Sequence, residues 1–257
     1  MGQAACACNH TAGKTRSPKC WHKHPKIRVF IMAVHPSLLQ QFALMRLFTT
    51  DALASLAAHS SIHAYAKREV VLSKENPAPS LMFLLEGRLQ AIDFTLDGRE
   101  VGLHFIEEGQ YFGEISVLDG LPSPEVVIAN KKSQVVMVPA KEVRGLIFTT
   151  PPAIEAMTQG LAERIRAQAH QRQILGIISP LQRICALLQN LSKGGKNPEV
   201  IANAPTHQEI AIMVNLTRET VTRAFQVLQS QGALARDGDD LKLNTGKLKQ
   251  LAEKSAD

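Results

Sequence analysis

The sequence predicts an α+β chain in three parts: a β-roll, one long helix, and a small helical domain with a two-stranded wing. Three observations carry that prediction. Residues 62–139 break into short apolar runs separated by turn-rich pieces, the pattern of a compact β-barrel or roll. A stretch from Ala153 to Ile178 reads as one helix between Pro151-Pro152 and Pro180. Two short capped helical patterns then precede a hairpin signal at Asp237-Gly238. With 257 residues, the chain has length for two or three cores.

Taken in order, residues 1–32 show no apolar periodicity, only small, basic and Cys/His residues, and read as a disordered tail. Within 33–150, the sensor unit, helical spacing at Leu44, Leu47, Leu53 and Leu56 comes first. The strand runs follow: IHAYA, EVVL, LMFLLEG, LQAIDF, VGLHFI, EVVIA and QVVMVP. Asp97-Gly98 marks a hairpin because glycine accepts the positive φ of a tight turn. Residues 151–178 form the long helix, its prolines placed in the first turn where a missing N–H costs nothing. Ile154, Met157, Leu161, Ile165, Leu175 and Ile178 make its apolar stripe, more edge than a small roll covers, so pairing with a second copy is expected. Residues 179–257 hold the last domain. It opens on Leu181, Ile184, Leu187, Leu188 and Leu191 along one helix face.

Composition narrows the function classes. There is no run of about eighteen apolar residues and no apolar signal segment at the N-terminus, so a cytoplasmic protein without a membrane span is expected. Cys6, Cys8 and Cys20 crowd the tail while Cys185 sits alone in a helical pattern, which is no disulfide framework. The tail ligands Cys6, Cys8, His10, Cys20, His22 and His24 follow no standard zinc spacing, and no metal is assigned. The net charge of +6 is also a tail property: residues 1–32 carry six Lys/Arg and no acid, leaving 23 basic against 23 acidic residues. Bulk charge therefore cannot argue for DNA binding, and a motif must. No catalytic constellation stands out. Glu107-Glu108 and Asp239-Asp240 are turn-like acid pairs without a partnered histidine, and the chain is not expected to be an enzyme.

The motif lies in THQEIAIMVNLTRETVTRAFQVLQSQG. Thr206 and Glu209 form a capping box, Thr217 caps a second helix, and the tight turn between them makes a helix-turn-helix. The outer face of the second helix offers Arg218, Glu219, Thr222 and Arg223. Arginine can hold guanine O6 and N7 with two hydrogen bonds, and a carboxylate can accept from cytosine N4. These positions fall in the first turn and a half, where a recognition helix reaches base edges. The alternative, an ordinary Glu219–Arg223 ion pair on a solvated face, is the bland reading.

A β-roll, a long helix and a winged helix-turn-helix carrying R-E-T-V-T-R, in this order over roughly residues 35–250, resemble the catabolite activator and FNR-type (CRP/FNR) family of bacterial transcription regulators. The resemblance implies a cyclic-nucleotide-binding-like roll, a dimerisation helix and a homodimer on palindromic double-stranded DNA with half-sites one helical turn apart. RNA polymerase is the implied further partner. Arg218, Glu219 and Arg223 match the pattern that reads TGTGA-type half-sites, and Thr206 and Thr222 stand at implied phosphate contacts.

One loop departs from the family. In its cyclic-nucleotide-binding members a Gly-Glu pair places Glu on the ribose, and an Arg followed by Ser or Thr about ten residues later holds the phosphate. Gly113-Glu114 matches, but Ser123-Pro124-Glu125 stands at the second position, and Gly113 to Ala129 contains no positive charge. Gln168-Ala169 replaces the Thr-Ser pair the family offers to the base. Cyclic AMP thus loses its charge-assisted donors. Three readings stay open. Arg88 or Arg99 on the roll, or Arg164, Arg166 and Arg172 on the helix, could grip a cyclic dinucleotide or another cyclic nucleotide; the site could be vestigial; or a sensor could act through the tail.

Overall fold

The computed structural model describes residues 34–74, 79–95, 98, 100–193 and 197–254, with side chains to 251. The tail, with its cysteines and histidines, and Arg99 lie outside the described residues.

Three short helical segments lead in: α1 (Pro36–Leu39), a 3-10 turn (Met45–Leu47) and α2 (Thr50–His59). The roll follows as β1 (Ser61–Tyr65), β2 (Val70–Leu72), β3 (Ser80–Glu86), β4 (Leu89–Phe94), β5 (Glu100–Ile106), β6 (Tyr111–Phe112), α3 (Glu114–Asp119), β7 (Val126–Ala129) and β8 (Ser133–Pro139). Its strands form two antiparallel four-stranded sheets, ordered β1-β8-β3-β6 and β2-β7-β4-β5. All seven strand runs of the sequence are strands. The two-residue β6 and the one-and-a-half-turn α3 are new, because elements that short carry no period to detect.

Alternation along β3 explains why its sequence is apolar throughout. Met82 and Leu84 face the second sheet, with Leu89, Ala91, Phe112 and Val127, while Leu81 and Phe83 face the helices, with Leu39, Phe42, Leu53 and Val143. A strand covered on both faces loses the polar half of its pattern. Truncating a side chain as buried as Phe83 costs about 3–5 kcal/mol.

Next come α4 (Ala140–Thr149) and the long α5 (Pro151–Gly176), which opens on its two prolines and stops before Pro180. Its apolar residues do not form one stripe. Met157 is 2% exposed against the roll and Ile174 is buried in the last domain, whereas Ile165 is 65% exposed and Ile154 and Ile178 also face outward. At 3.6 residues per turn over twenty-six residues, widely separated positions drift onto different faces.

The last domain holds α6 (Pro180–Lys193), β9 (Val200–Ile201), α7 (His207–Val214), α8 (Arg218–Ser230), β10 (Leu234–Asp237), β11 (Asp240–Leu243) and α9 (Thr245–Lys254). Its wing has three strands rather than two, since β9 pairs with β11. This domain rests on the roll. Ile212 of α7 packs on Ile92 and Ile128, on the outer face of the second sheet. Gly102 permits this approach, for a Cβ there would meet Met213 Sδ at 2.6 Å and its Cα at 3.1 Å. Gln171 of α5 donates to Met213 O at 2.6 Å. Arg183 of α6 donates to Ile177 O and, at 2.9 Å, to Val214 O, placing one guanidinium at the C-termini of α5 and α7.

Candidate functional site

Two constellations emerge, one in the last domain and one in the roll. In the first, Thr206 caps α7: its Oγ1 accepts from Glu209 N at 3.3 Å while the Glu209 carboxylate accepts from Thr206 N at 2.7 Å. Thr217 caps α8 through Thr220 N at 3.2 Å. Asn215, at φ +50°, turns the chain between the helices, a conformation asparagine tolerates better than most residues. Val221, Ala224, Phe225 and Leu228 bury the inner face of α8.

The outer face of α8 is left to solvent. Arg218, Glu219 and Arg223 are exposed, and among the described ion pairs none joins Glu219 to Arg223. Both arginines nonetheless act on the Glu219 charge across solvent. Glu219 is held ionised, its pKa lowered by its own backbone N–H in the first turn and by the Thr217 hydroxyl. The two threonines differ. Thr206 donates its hydroxyl proton to no group among the described residues, whereas Thr222, half-buried, donates to Arg218 O at 2.9 Å and lies 3.0 Å from His207 Nδ1. His207 was not singled out from the sequence, because nothing in THQE separates it from an ordinary first-turn residue.

In the roll, Gly113 forms the N-terminal cap of α3 and turns Glu114 inward, where it is 1% exposed. The loop that lacks a cation receives one from α5: Arg164 Nη1 lies 2.8 Å from Glu114 Oε1, and its Nη2 donates to Tyr111 O at 2.7 Å. Glu114 Oε2 has no hydrogen-bond partner among the described residues. Burial raises the Glu114 pKa, and Arg164 opposes that shift without overcoming it.

A cavity of about 290 Å³ lies between β5 and α5, lined among others by His104, Tyr111, Gly160, Glu163, Arg164 and Gln168. Arg164 and Gln168, both named from the sequence, thus meet at one cavity. The other candidates do not. Arg88 pairs with Glu107 at 2.6 Å, donates to Asn203 O and covers the Phe105 ring, so it is a strut between roll and last domain. Arg172 and Arg166 are exposed and do not line the cavity. Ser123 is closed into a turn, its Oγ donating to Glu125 O at 2.8 Å and accepting from Glu125 N.

Glu125, which the sequence places in the cation-free loop, and His104 are buried here, which the sequence does not show. Glu125 is pushed up to about 7, by burial first and then by Glu114 and Asp93, with Arg164 and Lys74 opposing. His104, its Nε2 3.9 Å from Glu125 Oε1, is pushed down to about 4 by burial and by Arg164. A second anion entering this site would meet Glu125 and an arginine already engaged.

Comparison with known proteins bears on the family and the fold. A cyclic nucleotide-binding domain model matches residues 62–150, and a Crp-like helix-turn-helix domain model matches residues 182–251. The cAMP-activated global transcriptional regulator CRP of Pasteurella multocida is 27% identical over 184 residues, covering 70% of this chain and 88% of that protein. Among solved structures, FixK2 from Bradyrhizobium japonicum superposes with a TM-score of 0.65 at 22% identity, over 75% of this chain and 96% of that one. The c-di-GMP responsive global regulator CLP of Xanthomonas campestris gives a TM-score of 0.60 at 22% identity, over 76% and 99%. Among the described residues no helix is long and apolar enough to cross a membrane.

Proposed function

Because the chain belongs to the CRP/FNR family of DNA-binding transcription regulators, we propose that it works as a cytoplasmic homodimer that reads a palindromic TGTGA-like site and carries no enzymatic activity. The observation that carries this reading is the face of α8: Arg218, Glu219 and Arg223 are exposed, not paired with one another, and fixed on a helix capped by Thr217. Arg218 and Arg223 serve guanines, Glu219 serves a cytosine, and Thr206 faces a phosphate, whereas Thr222, implied as a phosphate contact by the resemblance, has its hydroxyl proton engaged on Arg218 O. Dimerisation runs along the outward face of α5, where Ile154 and Ile165 stand open to solvent. RNA polymerase is the partner such a regulator addresses.

The sensor does not use the family's cyclic AMP clamp. Pro124 and Glu125 occupy the place of the phosphate-binding pair, and Arg164 is held by Glu114 and Tyr111 O. DNA binding is then ligand-independent, or answers to a ligand that recruits Arg164 by another geometry. A cyclic dinucleotide is the second reading, supported by the 290 Å³ cavity that meets Arg164 and Gln168.

Fluorescence anisotropy of a labelled TGTGA-N6-TCACA duplex at fixed salt tests both levels. Tight ligand-free binding, unchanged by cyclic AMP, cyclic GMP or cyclic di-GMP, supports a silent sensor, and a response to one nucleotide names the effector. Equal affinity for a scrambled duplex would instead describe an architectural DNA-binding protein.

A further inference from the structure

His207, the first residue of α7, sits where α7 meets α8. Its ring packs on Phe225 with centroids 4.4 Å apart, and its Nδ1 lies 3.0 Å from Thr222 Oγ1. A hydroxyl has one proton, and Thr222 places its proton on Arg218 O at 2.9 Å. With its proton so placed, Thr222 accepts from His207. The neutral imidazole carries its hydrogen on Nδ1 and presents Nε2 as a bare acceptor. That Nε2 has no hydrogen-bond partner among the described residues and is not a buried atom. It stands beside the base-reading face, within the electrostatic reach of Arg218 and Arg236.

We propose that His207 is a phosphate contact that only the imidazolium can make, so that binding DNA takes up one proton from the buffer at each half-site. A bare acceptor repels a phosphate oxygen, whereas the protonated ring donates to it from Nε2 and keeps its Nδ1–H on Thr222. The inference rests on the reading of α8 as the recognition helix.

The charges around the ring make the coupling directional. Burial, then Arg236 on β10 and Arg218 on α8, hold His207 below its ordinary 6.5. Phe225 is uncharged, and Glu209 on the same helix is engaged in the Thr206 cap. The free protein therefore holds a neutral ring at neutral pH. A phosphate arriving between two arginines and the ring reverses the balance and raises the bound-state value. Affinity then rises as pH falls through the bound-state pKa, and levels off below that of the free protein.

The test uses the full chain and the same TGTGA-N6-TCACA duplex, with anisotropy measured from about pH 8 to about pH 6 at several salt concentrations. The wild type should tighten toward acid by up to about tenfold per half-site, the size of a gained charge-assisted contact. Its salt dependence should also steepen by up to about 0.9 log units per half-site. His207→Gln should lose both effects while keeping its preference over a scrambled duplex, and His207→Arg should bind with acid-end affinity across the range. A His207→Gln protein that keeps the wild-type pH dependence overturns the proposal, as does a wild-type salt slope that does not change with pH. No preference over the scrambled duplex at any pH, in any variant, would overturn the recognition reading itself and this inference with it.

Discussion

The outer face of α8 and the Glu114–Arg164 site of the roll are both built from arginines and glutamates on helices, yet they treat those charges in opposite ways. On α8, Arg218, Glu219 and Arg223 are exposed and not paired with one another. In the pocket, Glu114 is almost fully buried and Arg164 is bound to it at 2.8 Å. A solvated charge costs little to leave waiting for a partner from outside, whereas a buried charge must settle with a neighbour as the chain folds. The charges on α8 therefore stand open to a partner from outside, while any ligand of the roll cavity has to enter an arrangement that already engages the one arginine lining it among the described residues.

The largest effect should come from breaking the buried side of this contrast. Arg164→Ala strands Glu114 and should cost about 3–5 kcal/mol in urea unfolding, with Glu114→Gln in the same chain recovering most of it. A loss well under 1 kcal/mol would mean that the two residues do not depend on each other as drawn.

Next is the pH dependence of stability. Glu125 has a folded value of about 7 against an ordinary 4.5, so the folded state binds the extra proton and stability falls by roughly 3 kcal/mol as pH rises through that window. His104, about 4 against 6.5, has the opposite sign: its folded state rejects the proton, and stability falls as pH drops from 6.5 toward 4. The two partly cancel where they overlap. Glu125→Gln should thus raise stability at pH 8 and expose an acid-side loss, and thermal melts across pH would show otherwise if the melting profile kept its wild-type shape.

On the exposed side, Arg218→Ala or Arg223→Ala should cost about 1–3 kcal/mol of specific binding and relax preference at one base pair, leaving thermal stability alone. Unchanged selectivity among single-base half-site variants would sink the base assignment. Smallest is Thr206→Ala, which removes the cap of α7 and should lower stability by about 1 kcal/mol.

Much of the fold was legible because its signals are local. The seven strand runs, the proline-bounded α5 and the Thr206–Glu209 capping box depend on residues a few positions apart, and each appears where the spacing put it. The head was legible for the same reason, since α8 orders its face within one helix. Legibility ended where two distant segments meet. The stripe along α5 divides between the roll, the last domain and solvent. Arg88, a candidate for an anion, instead braces Asn203, more than a hundred residues away.

The sequence by itself determined most of the elements, the order of the three parts, and the composition of the outer face of α8, because helix caps, strand alternation and helical periodicity act over a few residues. It also showed that the loop after Gly113 has no cation of its own. Only the tertiary structure decided that Arg164, fifty positions later in the chain, supplies that charge, that Glu125 and His104 are buried together, and that His207 lies against Thr222. Burial and pairing are properties of packed neighbours, and the charge state of a side chain follows from them rather than from its place in the chain.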